Sequence, residues 1–458
     1  MAVLSQVVSP ALRAPLAVRP SRTGDSRMTT TSEVDTGTAY GRPKPSYNAR
    51  LREVGPGTPM GEALRRYWHP IASSETLIAG ALPQKTRVLG EDLVVFRDGQ
   101  GNPGVVIERC THRGASLFYG RVEDDGIRCC YHGWKFDVQG HCIEQACEPG
   151  LGRRRDAARQ PWYPVAERYG LVFVYMGPPE LKPELPRYDA LENPAEDEKY
   201  FASWPVPHAA VIGMPTDFSW LNIYENSADP THVTWLHSTH SGYQMLGTGT
   251  FGYPENFFDP ATIAERLTYE RTDHGVKYTQ RFEMEGEDGE VTEYGFAVDQ
   301  HLPNVFGLPD YVKPTPDGRS DQLLWVVPSD DTSHRVFFSI RTNDPERMVR
   351  FVIGITQDGK QNHELTDEER QKFPGDTEAQ GSQGAITLDS EETLATGDRG
   401  VVMLRRMLLT MADDVEAGRD PINIIRDASE VHHVETGLFT LGKRSAGDDA
   451  EAQATAGV

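Results

Sequence analysis

Two short segments constrain this chain more than anything else in it: Cys110-x-His112 and Cys129-Cys130-Tyr131-His132, both within CTHRGASLFYGRVEDDGIRCCYHGWKFD. Each sets a thiol beside an imidazole, and donors paired in this way hold a metal only when both segments are brought to one point. The surrounding texture predicts a scaffold that does so. RVLGEDLVVFRD, GVVIERC and YGLVFVYMG are alternating or β-branched runs separated by Gly and Asn/Asp turns, the pattern of a small antiparallel β domain near residues 67–178 with the two segments on its loops. Gly114 and Gly133, which follow the two histidines, fit tight loops whose backbone passes close to the metal-bound sulfurs.

Two cysteines and two histidines also suit zinc, but structural zinc sites usually group like ligands, as C-x2-4-C followed by H-x3-5-H. Here each loop offers one of each, as in a Rieske [2Fe–2S] cluster, where two histidines replace two cysteines on one iron. Cys130-x-His132 repeats the spacing of the first loop, so the residues alone leave Cys129 and Cys130 in competition. The segment resembles the Rieske domain of aromatic-ring-hydroxylating oxygenases, in which Tyr131, Gly133 and Trp134 also match. The resemblance implies Cys110, His112, Cys129 and His132 as cluster ligands. Respiratory-chain Rieske proteins usually carry an extra cysteine in each loop. Ala115 and Tyr131 stand there in this chain, which favours the oxygenase type. Cys142 and Cys147 read as ordinary half-buried thiols.

A second donor set separates an oxygenase from a simple electron carrier, and SWLNIYENSADPTHVTWLHSTH supplies one in His232 and His237. Two histidines and a carboxylate on one side of a ferrous ion leave positions open for O2 and substrate. On a regular helix, residues five apart diverge by about 140°, so this pair converges only through a bulge or a helix end. Asp229 precedes His232 by three positions and faces the same way, which predicts a partner for its ring. Beyond spacing, E-N-x-x-D-x-x-H-x4-H resembles the iron-binding signature of Rieske oxygenase catalytic domains, matched by Glu225, Asn226, Asp229, His232 and His237. His208, Trp235 and His240 are outside the signature and read as pocket or packing residues. The downstream block FPGDTEAQGSQGAITLDSEETLATGDRG resembles that of the phthalate-dioxygenase-like branch, where an Asp ahead of an S-x-G element binds iron. That residue is Asp376, with Gln380, Ser382 and Gly384 also matching and Glu378 and Asp389 as rivals.

A Pro/Glu-rich stretch, GPPELKPELPRYDALENPAEDE, marks the boundary between two parts. Four segments are expected: a disordered 1–42, an N-terminal helix with the Rieske domain over 43–178, a catalytic domain over 179–440 and a disordered tail over 441–458. Thr58 and Pro59 begin a predicted helix through MGEALRRYW. Leu404, Leu408, Met411 and Val415 predict a later one that ends at Gly418 before Pro421. Arg13, Arg19, Arg22 and Arg27 give the first residues a transit-peptide composition, but Pro10, Pro15 and Pro20 interrupt any amphipathic helix and Met28 offers a second start. The resemblance implies an α+β chain, an all-β Rieske domain followed by a helix-grip (START-like) antiparallel sheet.

With 46 basic against 68 acidic residues, a net charge of −22 argues against nucleic acid or an anionic membrane as partner. Five cysteines make no disulfide framework, which suits a cytoplasmic protein, and no apolar run reaches the roughly 18 residues of a membrane span. The resemblance implies a cycle in which a separate NAD(P)H-dependent reductase or ferredoxin feeds the [2Fe–2S] cluster, which feeds a mononuclear non-haem Fe(II) that activates O2 beside a small aromatic or cyclic substrate. No G-x-G-x-x-G dinucleotide fingerprint is present in the chain itself. In the family the short electron path crosses a subunit boundary through an aspartate between a cluster histidine and an iron-binding histidine of the neighbour. Here that implies His132, Asp229 and His232 in a homotrimer or hexamer. Relatives hydroxylate rings or remove O- and N-methyl groups with the same ligands. An electron-transfer protein without oxygenase activity is a further alternative.

Overall fold

Alternating runs become hairpins where the sequence predicts them, because a two-residue turn suffices to fold one apolar face onto its neighbour. Gln84–Val88 and Glu91–Arg97 close through Leu89 and Gly90, both at positive φ, and Pro103–Ile107 and Trp162–Tyr163 complete a four-stranded sheet. Four shorter strands, Arg121–Glu123, Gly126–Arg128, Trp134–Phe136 and Cys142–Gln145, form a second sheet, and Trp68–Ser73, Leu171–Tyr175 and Val165–Arg168 a third. The computed structural model describes residues 39, 41–202, 216–241, 254, 257–286, 289–309, 318–344, 360 and 364–445. His208 and most of the termini expected to be disordered lie outside them. Met1–Lys44 and Pro45–Val458 are separate units, and every element described here belongs to the second.

The helix predicted over MGEALRRYW is shorter than expected. Thr58 caps it, accepting the Gly61 N–H at 3.1 Å, but the helix Pro59–Leu64 then gives way to the strand beginning at Trp68. All six residues of that strand are buried, and it pairs along Leu171–Tyr175. Burying both faces of a strand outweighs the modest helix preference of Leu and Arg.

Downstream, seven strands make one antiparallel path in the order Lys199–Phe201, Ser333–Thr342, Gln322–Asp330, Val305–Gly307, Glu290–His301, Gly275–Glu285 and Leu267–Arg271. An eighth, Gly437–Ser445, pairs with Glu290–Ala297 and runs past residue 440, the expected domain end; the TGLFTLG segment finds a free strand edge there. Across this sheet packs the helix Arg399–Glu416, which buries Leu404, Leu408 and Met411 as predicted. Gly418, at φ +74°, follows its end. Among the described residues no helix is long and apolar enough to cross a membrane.

Two apolar cores explain how the Cys/His loops are held. The larger joins Leu171, Val174 and Tyr175 to Trp325, Leu404 and Leu408, so the base of the N-terminal part shares its interior with the catalytic sheet. The smaller contains Val94, Phe96, Leu117, Ile127 and Phe136 together with Cys110 and Cys129, a separate platform beneath the two loops.

Candidate metal centres

The two Cys/His loops have the same backbone. Cys110 N–H donates to Ala115 O at 2.8 Å and Gly114 N–H to Cys110 O at 2.8 Å. Cys129 N–H donates to Trp134 O at 2.8 Å and Gly133 N–H to Cys129 O at 3.1 Å. Gly114 at φ +76° and Gly133 at φ +69° occupy the left-handed position that closes each turn, and a Cβ on Gly133 would meet Ala146 at 2.8 Å. Cysteine and glycine are therefore equivalently placed in both loops, and only the histidine shifts by one position.

That equivalence separates the neighbouring cysteines: Cys129 is buried beside Cys110, and Cys130 is exposed. A hydrogen bond from Cys110 holds the Cys129 thiol down at about 6, against the effect of burial and with help from the N–H groups of Tyr131 and His132. The same bond raises the Cys110 thiol, with burial, against the N–H groups of His112 and Arg113. Each sulfur thus faces two backbone donors that suit a metal-bound thiolate. The His112 and His132 ring centroids are 4.6 Å apart, and Trp134 stacks on His112 at 4.3 Å. Sequence reading passed over Gln160, which is fully buried and pins the first loop by accepting from Thr111 N at 2.8 Å and donating to the Ile107 and Arg109 carbonyls.

His232 and His237 converge through a bulge. The helix Pro230–Thr234 widens into a π-helical turn over Trp235–His240, whose i→i+5 repeat brings residues five apart onto one face. Their rings lie 5.4 Å apart. Asp376, at the first position of the helix Asp376–Gly381, presents Oδ2 3.2 Å from His237 Nε2 and Oδ1 3.7 Å from His232 Nε2. One ligand atom from each of the three falls within 4.8 Å of the others. Burial alone would raise the Asp376 carboxyl, but the imidazoles of His237 and His232 and the Asn226 amide outweigh it and hold it well below the usual carboxylate range.

The distant carboxylate is carried here by a set of polar ties. Ser241 Oγ donates to Pro374 O at 2.7 Å, Ser219 N–H to Ala385 O at 2.8 Å, and Asn222 Nδ2 reaches Gln380 O at 3.4 Å. Gln380 Nε2 and Asn226 Nδ2 each donate to Asp376 Oδ1 at 3.2 Å. The rivals are engaged elsewhere: Glu378 caps its own helix at Gly375 N, and Asp389 pairs with Arg52. Ser382 caps the Asp376 helix and Gly384, at φ +97°, turns the chain after it. Glu225 is a clamp, bidentate to Arg405 of the long helix. His240 and Trp235 are exposed.

Asp229 differs from its sequence reading in one respect. His232 Nδ1–H donates to the Asp229 main-chain carbonyl, and the carboxylate Oδ2 stands 3.9 Å from that nitrogen. Capping explains the difference: Asp229 Oδ1 accepts from Thr231 N at 2.9 Å and from Thr231 Oγ1, with Pro230 at the first helical position. The carbonyl still fixes the tautomer that puts a lone pair on His232 Nε2, which the Asn226 amide faces at 3.1 Å.

Residues 67–155 match the Rieske [2Fe-2S] domain family and 217–414 the vanillate O-demethylase oxygenase C-terminal domain. Phenoxybenzoate dioxygenase subunit alpha of Ectopseudomonas oleovorans is 44% identical over 412 residues, covering 88% of this chain and 94% of that protein. The 5,5'-dehydrodivanillate O-demethylase oxygenase subunit of Sphingobium sp. is 33% identical over 390 residues, covering 83% of each. The solved structure of dicamba monooxygenase bound to dicamba superposes with a TM-score of 0.54 at 17% identity, over 78% of this chain and 99% of that one, a likeness of fold. Identity and coverage of this order show kinship along most of the chain: it belongs to the Rieske non-haem iron aromatic-ring-hydroxylating oxygenases, as a large (alpha) subunit of the phthalate-dioxygenase-like branch, with a Rieske [2Fe–2S] cluster and a mononuclear non-haem iron as cofactors.

Proposed function

We propose that this chain hydroxylates a carboxylated aromatic substrate, with Cys110, His112, Cys129 and His132 holding the cluster and His232, His237 and Asp376 the iron. The observation that carries the proposal is the convergence of the last three side chains, one ligand atom of each within 4.8 Å of the others. When bound, the cluster relays single electrons and the ferrous ion provides the positions at which O2 is activated. The protein's own part is orientation. The Asp229 carbonyl sets the His232 tautomer, Gln380 and Asn226 fix the Asp376 carboxylate, and the Glu225–Arg405 clamp holds the helix from which Asn226 projects.

A separate NAD(P)H-dependent reductase or ferredoxin supplies electrons in this reading, as the word "subunit" in the relatives' names suggests. The 43–178 and 179–440 regions act as electron-receiving and substrate-oxidising domains of a homotrimer or hexamer. Asp229, whose carbonyl holds the His232 ring and whose carboxylate Oδ2 is not used by the cap, bridges His232 to His132 of a neighbouring copy. Five free cysteines suit the cytoplasm. Similarity to a phenoxybenzoate dioxygenase favours an aryl ether carboxylate as substrate. The vanillate O-demethylase match over 217–414 favours a second reading, removal of an O-methyl group.

Product analysis under 18O2, with a reductase and a panel of 3-phenoxybenzoate, phthalate and methoxybenzoates, tests both. Two labels in one ring product support dioxygenation, released formaldehyde with a phenol that keeps the unlabelled methoxy oxygen supports the second reading, and the absence of any oxidised product from every substrate refutes the oxygenase proposal.

A further inference from the structure

Three histidines unrelated to either iron centre also converge. His274, His301 and His432 each offer a ring nitrogen within 4.8 Å of the others. They come from the turn before Gly275–Glu285, the end of Glu290–His301, and the C-terminal segment that bridges to Tyr188. His301 is 1% and His432 3% exposed.

Hydrogen bonds set the tautomers. Asn423 Nδ2 donates to the His274 and Leu302 carbonyls at 2.9 and 2.7 Å, so its Oδ1 accepts from His274 Nδ1 at 3.2 Å and His274 Nε2 keeps its lone pair. His301 Nε2 donates to Asp299 Oδ2 at 3.1 Å, which leaves Nδ1 as a lone pair, buried and without a partner. His432 Nδ1 is buried and unpartnered too.

Lys277, opposite Asp299 on the neighbouring strand, is paired with Glu270 and Glu435 rather than with Asp299. Asp299 is 1% exposed, its Oδ1 has no partner, and among the described residues no Lys or Arg pairs with it. A buried carboxylate without a counter-charge is costly. Charging His301 would not resolve this, since its Nδ1–H would then be a buried donor with no acceptor. A cation facing His301 satisfies both groups, because metal-bound imidazoles commonly donate their other N–H to a carboxylate.

We propose that His274, His301 and His432 bind a divalent transition-metal ion of the zinc class, with Asp299 behind His301 balancing its charge. The His274 and His301 rings stack at 4.8 Å, 7° from parallel, and parallel rings cannot direct lone pairs at one ion. Metal uptake therefore turns the half-buried His274 ring about its broad terminal torsion, breaking the stack and its bond to Asn423, while His301 keeps Asp299. The ion ties the C-terminal segment to the sheet.

The test equilibrates iron-replete holoprotein with zinc chloride, desalts it, and measures zinc, iron and sulfide. About one zinc per chain is expected in the wild type and in His232→Ala, with loss from both His274→Gln and His432→Gln at unchanged cluster absorbance. His274 is half-buried on a turn, so its variant serves if His432→Gln does not fold. Zinc retained in His274→Gln, lost only from His232→Ala, or absent from the wild type overturns the proposal.

Discussion

The cluster loops and the iron triad hold similar donors by opposite means. The four residues proposed to hold the cluster lie between Cys110 and His132, on two loops of equivalent backbone above a private apolar core. The proposed iron triad joins a π-bulged helix to a carboxylate far along the chain, through side-chain ties from Ser241, Asn222 and Gln380. A locally closed site depends on backbone geometry, whereas one assembled across the chain depends on polar partners. Substitutions should therefore act differently in the two places.

The largest contrast is expected between adjacent cysteines. Cys129→Ser should lose the visible spectrum of the cluster and all turnover, whereas Cys130→Ser, altering an exposed thiol, should leave both intact; absorbance and reductase-coupled activity measure this. Asp229→Asn should keep both metals and the Thr231 cap but abolish coupled turnover, as read by metal analysis and steady-state oxygen uptake. Steady-state turnover in that variant would remove the intersubunit bridge. Gln380→Ala strips a donor from Asp376 Oδ1 and should weaken iron binding by about 10–100-fold in a chelator competition, with the cluster unaffected. The smallest effect is on packing. A Cβ on Gly400 would meet the Ala228 carbonyl at 2.3 Å, beside the turn that carries Asp229. Gly400→Ala should cost about 1–3 kcal/mol in denaturant unfolding.

The difference between the sites also explains what the sequence made legible. Spacing, the two glycines and alternating strands were enough to propose a Cys/His metal site on two loops, with family resemblance choosing Cys129 over Cys130, and a bulge or a helix end was expected at His232 and His237 because residues five apart do not share a face of an ordinary helix. Asp376 had no such local mark. Nothing in FPGDTEAQGSQG separates it from Glu378 or Asp389 until the Pro374, Gln380 and Ala385 contacts are seen, and only family resemblance pointed to it. The choice of the Asp229 carbonyl over its carboxylate was hidden because Thr231 competes for the same oxygens. MGEALRRYW misled at its end, since strand pairing with Leu171–Tyr175 is invisible to helix propensity. Gln160 carries no motif, and its role follows only from the loop it fills.

Iron and acid-labile sulfide in Asp376→Ala, with EPR of the reduced protein, test the central claim most directly. The wild type should hold about three irons and two sulfides per chain, and the variant about two of each with an unchanged Rieske signal and no turnover. A variant that keeps the third iron, or that loses the cluster along with it, would contradict an iron site built from His232, His237 and Asp376 independently of the cluster loops.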